Sequence, residues 1–369
     1  MKKVVGVLGC SGAVGTNVIA HLGERYDILG GQRKEVPLKY GKWVFTDIFE
    51  PVSLKNFCKQ CDVVINAAGP SSVIKGTVAE CCAKLGVDYV DISGESIYIE
   101  RTGPKFEAAK NSFVIGAGLE AGLSGLLPYY LKRNFDEIEI ANCYLGSRER
   151  ISRSSLVDVL GSCFIDCGYA NACYDHGEIK PVTSTLMEGK QKIFGFCEDM
   201  YLKPYISNEI ISMAKHCEMG RVTWYHAIAD EQIVEILASM FETVSNIEQE
   251  DFQKVLVDKY MPIFEAIANT KPRFNTLVYD LMGKKNGEKL HTLSSCQIDE
   301  GYLVCGAMAA FAAEQVLQGN VVQGISWACN ILDPVKTVEY LLDNHIIRDL
   351  KTIDMGTMDG AEELEDGEI

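Results

Sequence analysis

The chain has no unbroken apolar run of about 18 residues, the length a membrane-spanning helix needs, so membrane insertion is not expected. Zinc-type spacing is missing as well: there are 14 cysteines, but no Cys-x-x-Cys is followed by a second such pair. The thiols are scattered, and several (Cys81, Cys82, Cys163, Cys167, Cys305) sit in apolar, helix-like stretches. They read as buried free thiols of a reducing compartment, and a cytoplasmic location is expected. Histidine is scarce at six residues, and His216, His226 and His291 make no metal-ligand spacing, so no metal site is expected. Basic residues are outnumbered, 35 Lys and Arg against 51 Asp and Glu, and the net charge of -16 speaks against a nucleic-acid surface. There is no internal repeat, and low complexity is confined to the acidic end, where residues 354–369 are expected to be a solvated, disordered tail.

What is present is ordinary globular composition, 47% hydrophobic and 23% charged, over a length suited to two packed domains. The opening Met1-Lys2-Lys3 could head a leader peptide, but Gly9, Ser11 and Gly12 break the apolar run early, so the segment reads as a first strand. Through residue 118, short β-rich runs alternate with helical patterns, the grammar of a parallel sheet covered by helices. Strands are expected at 4–8, 27–29, 42–45, 62–66, 88–92 and 112–115. Beyond them the pattern changes. A strand is expected at 137–145, helical patterns at 155–172 and 231–267, and two strand-like runs at 274–281 and 289–297. Asn286-Gly287 between those last runs is a hairpin signal, because both residues tolerate positive φ. An Ala-rich helix is expected at 301–317.

The expected fold class is therefore α/β: an N-terminal Rossmann-type doubly wound parallel sheet, with a second α+β domain of antiparallel sheet plus helices for substrate and oligomerisation. The expected division is 1–120 for nucleotide binding, 121–298 for the α+β domain, and 299–345 returning to pack on the first. The exposed face of the 274–297 hairpin is the expected contact of a homodimer.

The strongest motif is Gly9-Cys10-Ser11-Gly12-Ala13-Val14-Gly15, placed between the first strand and the first helix. Glycines there permit a tight turn, close approach of backbone N–H groups to a pyrophosphate, and close helix–strand packing. The helix dipole then favours the phosphates. NAD-selective sites end their second strand on a carboxylate that binds the ribose 2′-hydroxyl. Here the stretch is Gly30-Gly31-Gln32-Arg33-Lys34, without a carboxylate, and Arg33 and Lys34 can pair with a 2′-phosphate. NADP(H) is favoured over NAD(H). The remaining strand ends place Asp47 near the adenine, Asn66, Ala67, Ala68, Gly69 and Pro70 near the ribose and nicotinamide, and Asp91 and Glu95 near the reacting face.

Val63-Val64-Ile65-Asn66-Ala67-Ala68-Gly69-Pro70 followed by Gly86-Val87-Asp88-Tyr89-Val90-Asp91-Ile92-Ser93-Gly94-Glu95 resembles the saccharopine dehydrogenase-like (saccharopine reductase-type) oxidoreductases. Residues 116–124 resemble the block where the family's sheet leaves for its substrate domain, and residues 299–308 its returning helix. The resemblance covers residues 1–125 and, more loosely, 275–335. It implies hydride transfer to or from the C=N bond of an imine or amino-acid-derived small molecule. That chemistry leaves one protein role, a proton donor, for which Asp91, Glu95 and Tyr169 are the leading residues. Glu120, Arg148, Arg153 and His176 are candidates for holding substrate, the arginines for a substrate carboxylate. Two other readings stand beside it: an enoyl (C=C) reductase for a carrier- or lipid-bound substrate, and a non-catalytic NADP(H)-binding sensor or scaffold.

Overall fold

A computed structural model describes residues 2–93, 110–161, 168–182, 189–245 and 252–356. The chain forms two compact units: residues 1–127 with 301–346, and residues 128–300 with 347–369.

The first unit is built on seven parallel strands, numbered along the chain as β1 (Val4–Leu8), β2 (Asp27–Gln32), β3 (Lys42–Phe45), β4 (Val63–Asn66), β5 (Asp88–Asp91), β6 (Ser112–Ile115) and β15 (Gly324–Trp327). Their order across the sheet is β15-β6-β5-β4-β1-β2-β3. Every residue of β4 and β6 is buried, which is why these strands read as continuous apolar runs rather than alternating ones. Burial of side chains such as Val5, Val7 and Leu8 contributes about 1.5–3 kcal/mol each. The helix Pro51–Cys58 sets Phe57 against the bare backbone of Gly6 and Gly31, and it packs on the helix Thr77–Leu85. The helix Gly301–Leu317 is apolar on all sides and packs on the helix Ala13–Leu22, β4 and β5, so its lack of an amphipathic stripe is that of a buried helix. Gly306 lets Asn17 of the first helix come close.

The chain runs outward from β1 to β2 and β3, then returns to lay β4 on the other side of β1. That reversal opens a crevice at the carboxyl ends of β1 and β4, the place where such sheets bind ligands.

The second unit holds β7 (Glu137–Arg148), β8 (Gly168–Ala170), β9 (Ala172–Asp175), β10 (Glu178–Pro181), β11 (Tyr201–Ser207), β12 (Arg221–Ile228), β13 (Phe274–Lys285), β14 (Glu288–Ile298) and β16 (Ile347–Asp354). Its main order is β10-β9-β12-β7-β13-β14-β16. Neighbours are antiparallel except β12 and β7, which run parallel. Trp224 of β12 is fully buried.

The helical pattern expected over 155–172 is corrected. A helix spans Arg153–Gly161, but β8 and the start of β9 occupy its far end. Glu95 and residues 357–369 of the expected acidic tail lie outside the described residues. Among the described residues no helix is long and apolar enough to cross a membrane, and no group of side chains is arranged to hold a metal.

Candidate functional site

The glycine-rich loop closes the top of β1. Gly9 has φ of +75°, and a β-carbon on it would lie 2.6 Å from the Ala67 carbonyl oxygen. A β-carbon on Gly15 would run into the Gly9 carbonyl, so the loop and the first helix can sit this close only with glycine at both positions. Gly9 N–H donates to the Gly31 carbonyl at 3.1 Å, and Ala67 N–H donates to that of Leu8 at 3.0 Å, tying the loop to β2 and β4. Gly12 caps the helix Ala13–Leu22 without any side-chain hydrogen bond. The helix therefore presents uncapped amides at its positive end, with Ala13 and Val14 in its first turn. Ser11, Gly12 and Ala13 are exposed. Cys10 instead points into the core, and burial pushes its thiol up to about 11, which leaves it inert at neutral pH.

Beside the loop lies a crevice of about 260 Å³ lined by Gly9, Gln32, Arg33, Asp47, Phe49 and Ala68, with Gly69 and Pro70 at one wall. Arg33 is exposed and has no side-chain partner among the described residues. Lys34 is exposed next to it, its carbonyl taken by the Gln32 amide at 2.8 Å. Asp47 ends β3's turn by accepting from Phe49 N–H at 3.0 Å. These groups fit an NADP(H) molecule: backbone amides and a helix terminus for the pyrophosphate, and an unpaired guanidinium where a 2′-phosphate would need one.

Gln32 was not foreseen. Its Oε1 accepts from the Ser11 hydroxyl at 2.5 Å and from Ser11 N–H at 3.3 Å, so the residue in the usual carboxylate position holds the phosphate loop instead. The sequence signal was that same position, filled by an amide.

Asn66 and Asp91 end adjacent strands and are almost wholly buried. Asp91 Oδ2 accepts from the Tyr89 hydroxyl at 2.7 Å, and Oδ1 from Ser93 N–H at 2.7 Å. Each Asp91 oxygen thus accepts a hydrogen bond from its own strand or the turn that follows it.

Within the second unit, the substrate candidates Arg148 and His176 do not come together. Arg148, at the carboxyl end of β7, has a side chain only 3% exposed. Its Nε donates to Asp230 at 2.8 Å, and its Nη1 to Glu198 at 2.7 Å and to the Pro272 carbonyl at 2.8 Å. Burial works against the Asp230 charge, but Arg148 and Lys271 hold its carboxyl below the usual range. This guanidinium is a buried clamp between chain segments, not a free fork for a substrate, and that expectation is corrected. Arg153 is exposed, 3.8 Å from Asp258. His176 sits in the β9–β10 turn with φ of +47°, bound to Asp175 at 2.6 Å. Its N–H donates to the Gly220 carbonyl just ahead of β12, and β12 pairs with β7 from Ile140 onward. His176 and Arg148 thus lie at opposite ends of β7, about 25 Å apart at the rise of an extended strand. Tyr169 is half exposed on β8. Glu120 belongs to the first unit, just before the helix Leu123–Lys132.

Comparison with known proteins bears on this site. Residues 46–112 match the family model of the saccharopine dehydrogenase NADP binding domain. A human saccharopine dehydrogenase-like oxidoreductase is 34% identical over 77 residues, 20% of this chain and 18% of that one. A Caenorhabditis elegans lipid droplet localized protein is 30% identical over 153 residues, 35% of this chain and 36% of its own. A probable mitochondrial saccharopine dehydrogenase-like oxidoreductase of Arabidopsis thaliana is 40% identical over 55 residues, 15% and 12% of the two chains. The matched stretches thus span well under half the length of these relatives. Among solved structures, apo saccharopine dehydrogenase (L-Glu forming) of Saccharomyces cerevisiae superposes with a TM-score of 0.70 at 15% identity, covering 96% of this chain and 100% of that one, which shows a shared fold. The relatives also correct the cytoplasmic expectation. One is named mitochondrial and another lipid droplet localized, and free thiols separate reducing from oxidising surroundings without choosing among the reducing ones.

Proposed function

We propose that the chain is an NADP(H)-dependent oxidoreductase of the saccharopine dehydrogenase-like kind, transferring hydride to or from the C=N bond of an imine or amino-acid-derived substrate; the match of residues 46–112 to that family's NADP binding domain and the similarity to a human relative support the reading. The observation that carries this reading is the crevice at the strand-order reversal, with Arg33, unpaired among the described residues, beside a carboxylate-free end of β2. When bound there, the cofactor supplies a hydride for the substrate carbon, and a proton must reach the nitrogen. The backbone amides of Gly9 to Gly15 hold the pyrophosphate, and Arg33 and Lys34 pair with the 2′-phosphate. The Asn66 to Pro70 turn bounds the ribose and nicotinamide, and Asp47 and Phe49 bound the adenine. Asp91, Glu95 and Tyr169 are the candidates for delivering the proton, and Glu120 for holding substrate. Few protein groups are needed, since orientation supplies most of the rate.

The test is oxidation of NADPH by the purified protein with a panel of keto acids paired with amines, alongside enoyl substrates. Turnover with a keto acid and amine pair is expected. Turnover confined to the enoyl substrates would replace C=N chemistry with C=C reduction, and tight NADPH binding without any turnover would leave a sensor.

A further inference from the structure

The side-chain amide of Gln32, the last residue of β2, joins two segments that reach the crevice, the glycine-rich loop through Gly9 and the turn after β2 through Arg33. Its Oε1 accepts from the Ser11 hydroxyl at 2.5 Å and from Ser11 N–H at 3.3 Å, in the loop. Its Nε2 donates to the Lys34 carbonyl at 2.8 Å, in the turn that carries Arg33. The Gln32 backbone is itself pinned, because its carbonyl accepts from the Trp43 indole N–H and from Thr46 N–H, each at 3.1 Å. One side chain on a fixed stem thus sets the separation between loop and turn.

The bridge needs an acceptor and a donor at the same end of one side chain. Glutamate would accept from Ser11 but set a second acceptor against the Lys34 carbonyl. Methionine would fill a similar space and serve neither partner, and asparagine is one methylene shorter. Stability does not call for the bridge. Ser11 and Lys34 are exposed and Gln32 is half-buried, so water can take over each bond when the amide is lost. What water does not do is hold the two segments at one distance. A cofactor that carries both a pyrophosphate and a 2′-phosphate meets both segments at once, and a seat already spaced for it binds without an ordering cost.

We propose that Gln32 is a positioning residue that couples the two phosphate-binding segments. Through Ser11 and Lys34 it holds the glycine-rich loop and the Arg33 turn at the spacing that receives the pyrophosphate and the 2′-phosphate of NADP(H) together. The inference rests on the crevice being the NADP(H) seat. NADH lacks the 2′-phosphate, engages the loop without the turn, and depends less on the bridge.

The experiment is a titration of the full chain and its variants with NADPH and with NADH, followed by cofactor fluorescence, with thermal unfolding of each protein measured in parallel. Gln32→Met is expected to weaken NADPH binding by about tenfold and NADH binding by about threefold, with the unfolding midpoint near that of the wild type. Ser11→Ala removes the hydroxyl at the far end of the same bridge. It is expected to lower the preference for NADPH over NADH by about threefold, although it lies in the loop that both cofactors use. It carries the measurement if Gln32→Met does not fold. In the double variant the NADPH loss is expected to match that of Gln32→Met within about twofold, because both changes break one bridge. Wild-type protein that fails to bind NADPH overturns the cofactor seat and this proposal with it. Wild-type binding with Gln32→Met unchanged, with equal losses for the two cofactors, or with losses that multiply in the double variant overturns the positioning role alone.

Discussion

Gly15 shows how much a single residue decides here. Its missing β-carbon lets the first helix meet the Gly9 carbonyl at the top of β1. Gly15→Ala is expected to displace the loop and weaken NADPH binding by about a hundredfold, the cost of a displacement near 1 Å at a preorganised site. Gly76→Ala is the control. Its φ is -85° and nothing lies within 4 Å of the new carbon, so NADPH affinity should not move. Equal affinity for Gly15→Ala and wild type in a titration would contradict the loop's role. At this scale the sequence was readable where residue type alone sets the chemistry: the three glycines, and the missing carboxylate after β2. It was unreadable where a partner comes from elsewhere. Arg148 looked available because Glu198 and Asp230, its partners, stand 50 and 82 positions away.

Among the elements, the hairpin of β13 and β14 was the most legible, and it is longer than its apolar core suggested. The strands run to Lys285 and from Glu288, so the turn is Asn286-Gly287 alone, at φ of +52° and +82°. Asn286 N–H donates to Asp136 at 2.6 Å, fixing the turn to the segment before β7. Gly287 has open space around its missing β-carbon, so Gly287→Ala tests backbone strain by itself. The expected cost is about 1 kcal/mol, read as a lowered denaturant midpoint with unchanged slope. A midpoint equal to the wild type would mean that the positive φ is not held. In the first unit β1, β4 and β6 were recognisable because their faces are covered, which makes each a run of mostly apolar, buried residues. The short strand β8 was taken for helix because an apolar stretch with aromatic residues matches either period, and β15 is only four residues long. Their pairing, β8 with β11 and β15 with β6, is set by residues far off in the chain.

For the whole molecule, composition settled less than the motifs did. Acidity and free cysteines spoke to what the surface does not bind and to a reducing environment. They did not give a compartment, as the mitochondrial and lipid-droplet names of two relatives show. The order of strands did more, because one reversal between β1 and β4 puts Gly9, Arg33 and Ala68 to Pro70 around one crevice. The account stands on that crevice being selective for NADP(H) through Arg33. The most direct measurement is a paired titration of NADPH and NADH against wild type and Arg33→Ala. The account predicts that wild type prefers NADPH, and that Arg33→Ala loses about 10- to 100-fold of NADPH affinity while NADH binding stays the same. Equal binding of the two cofactors by wild type, or an NADPH affinity untouched by Arg33→Ala, would contradict it.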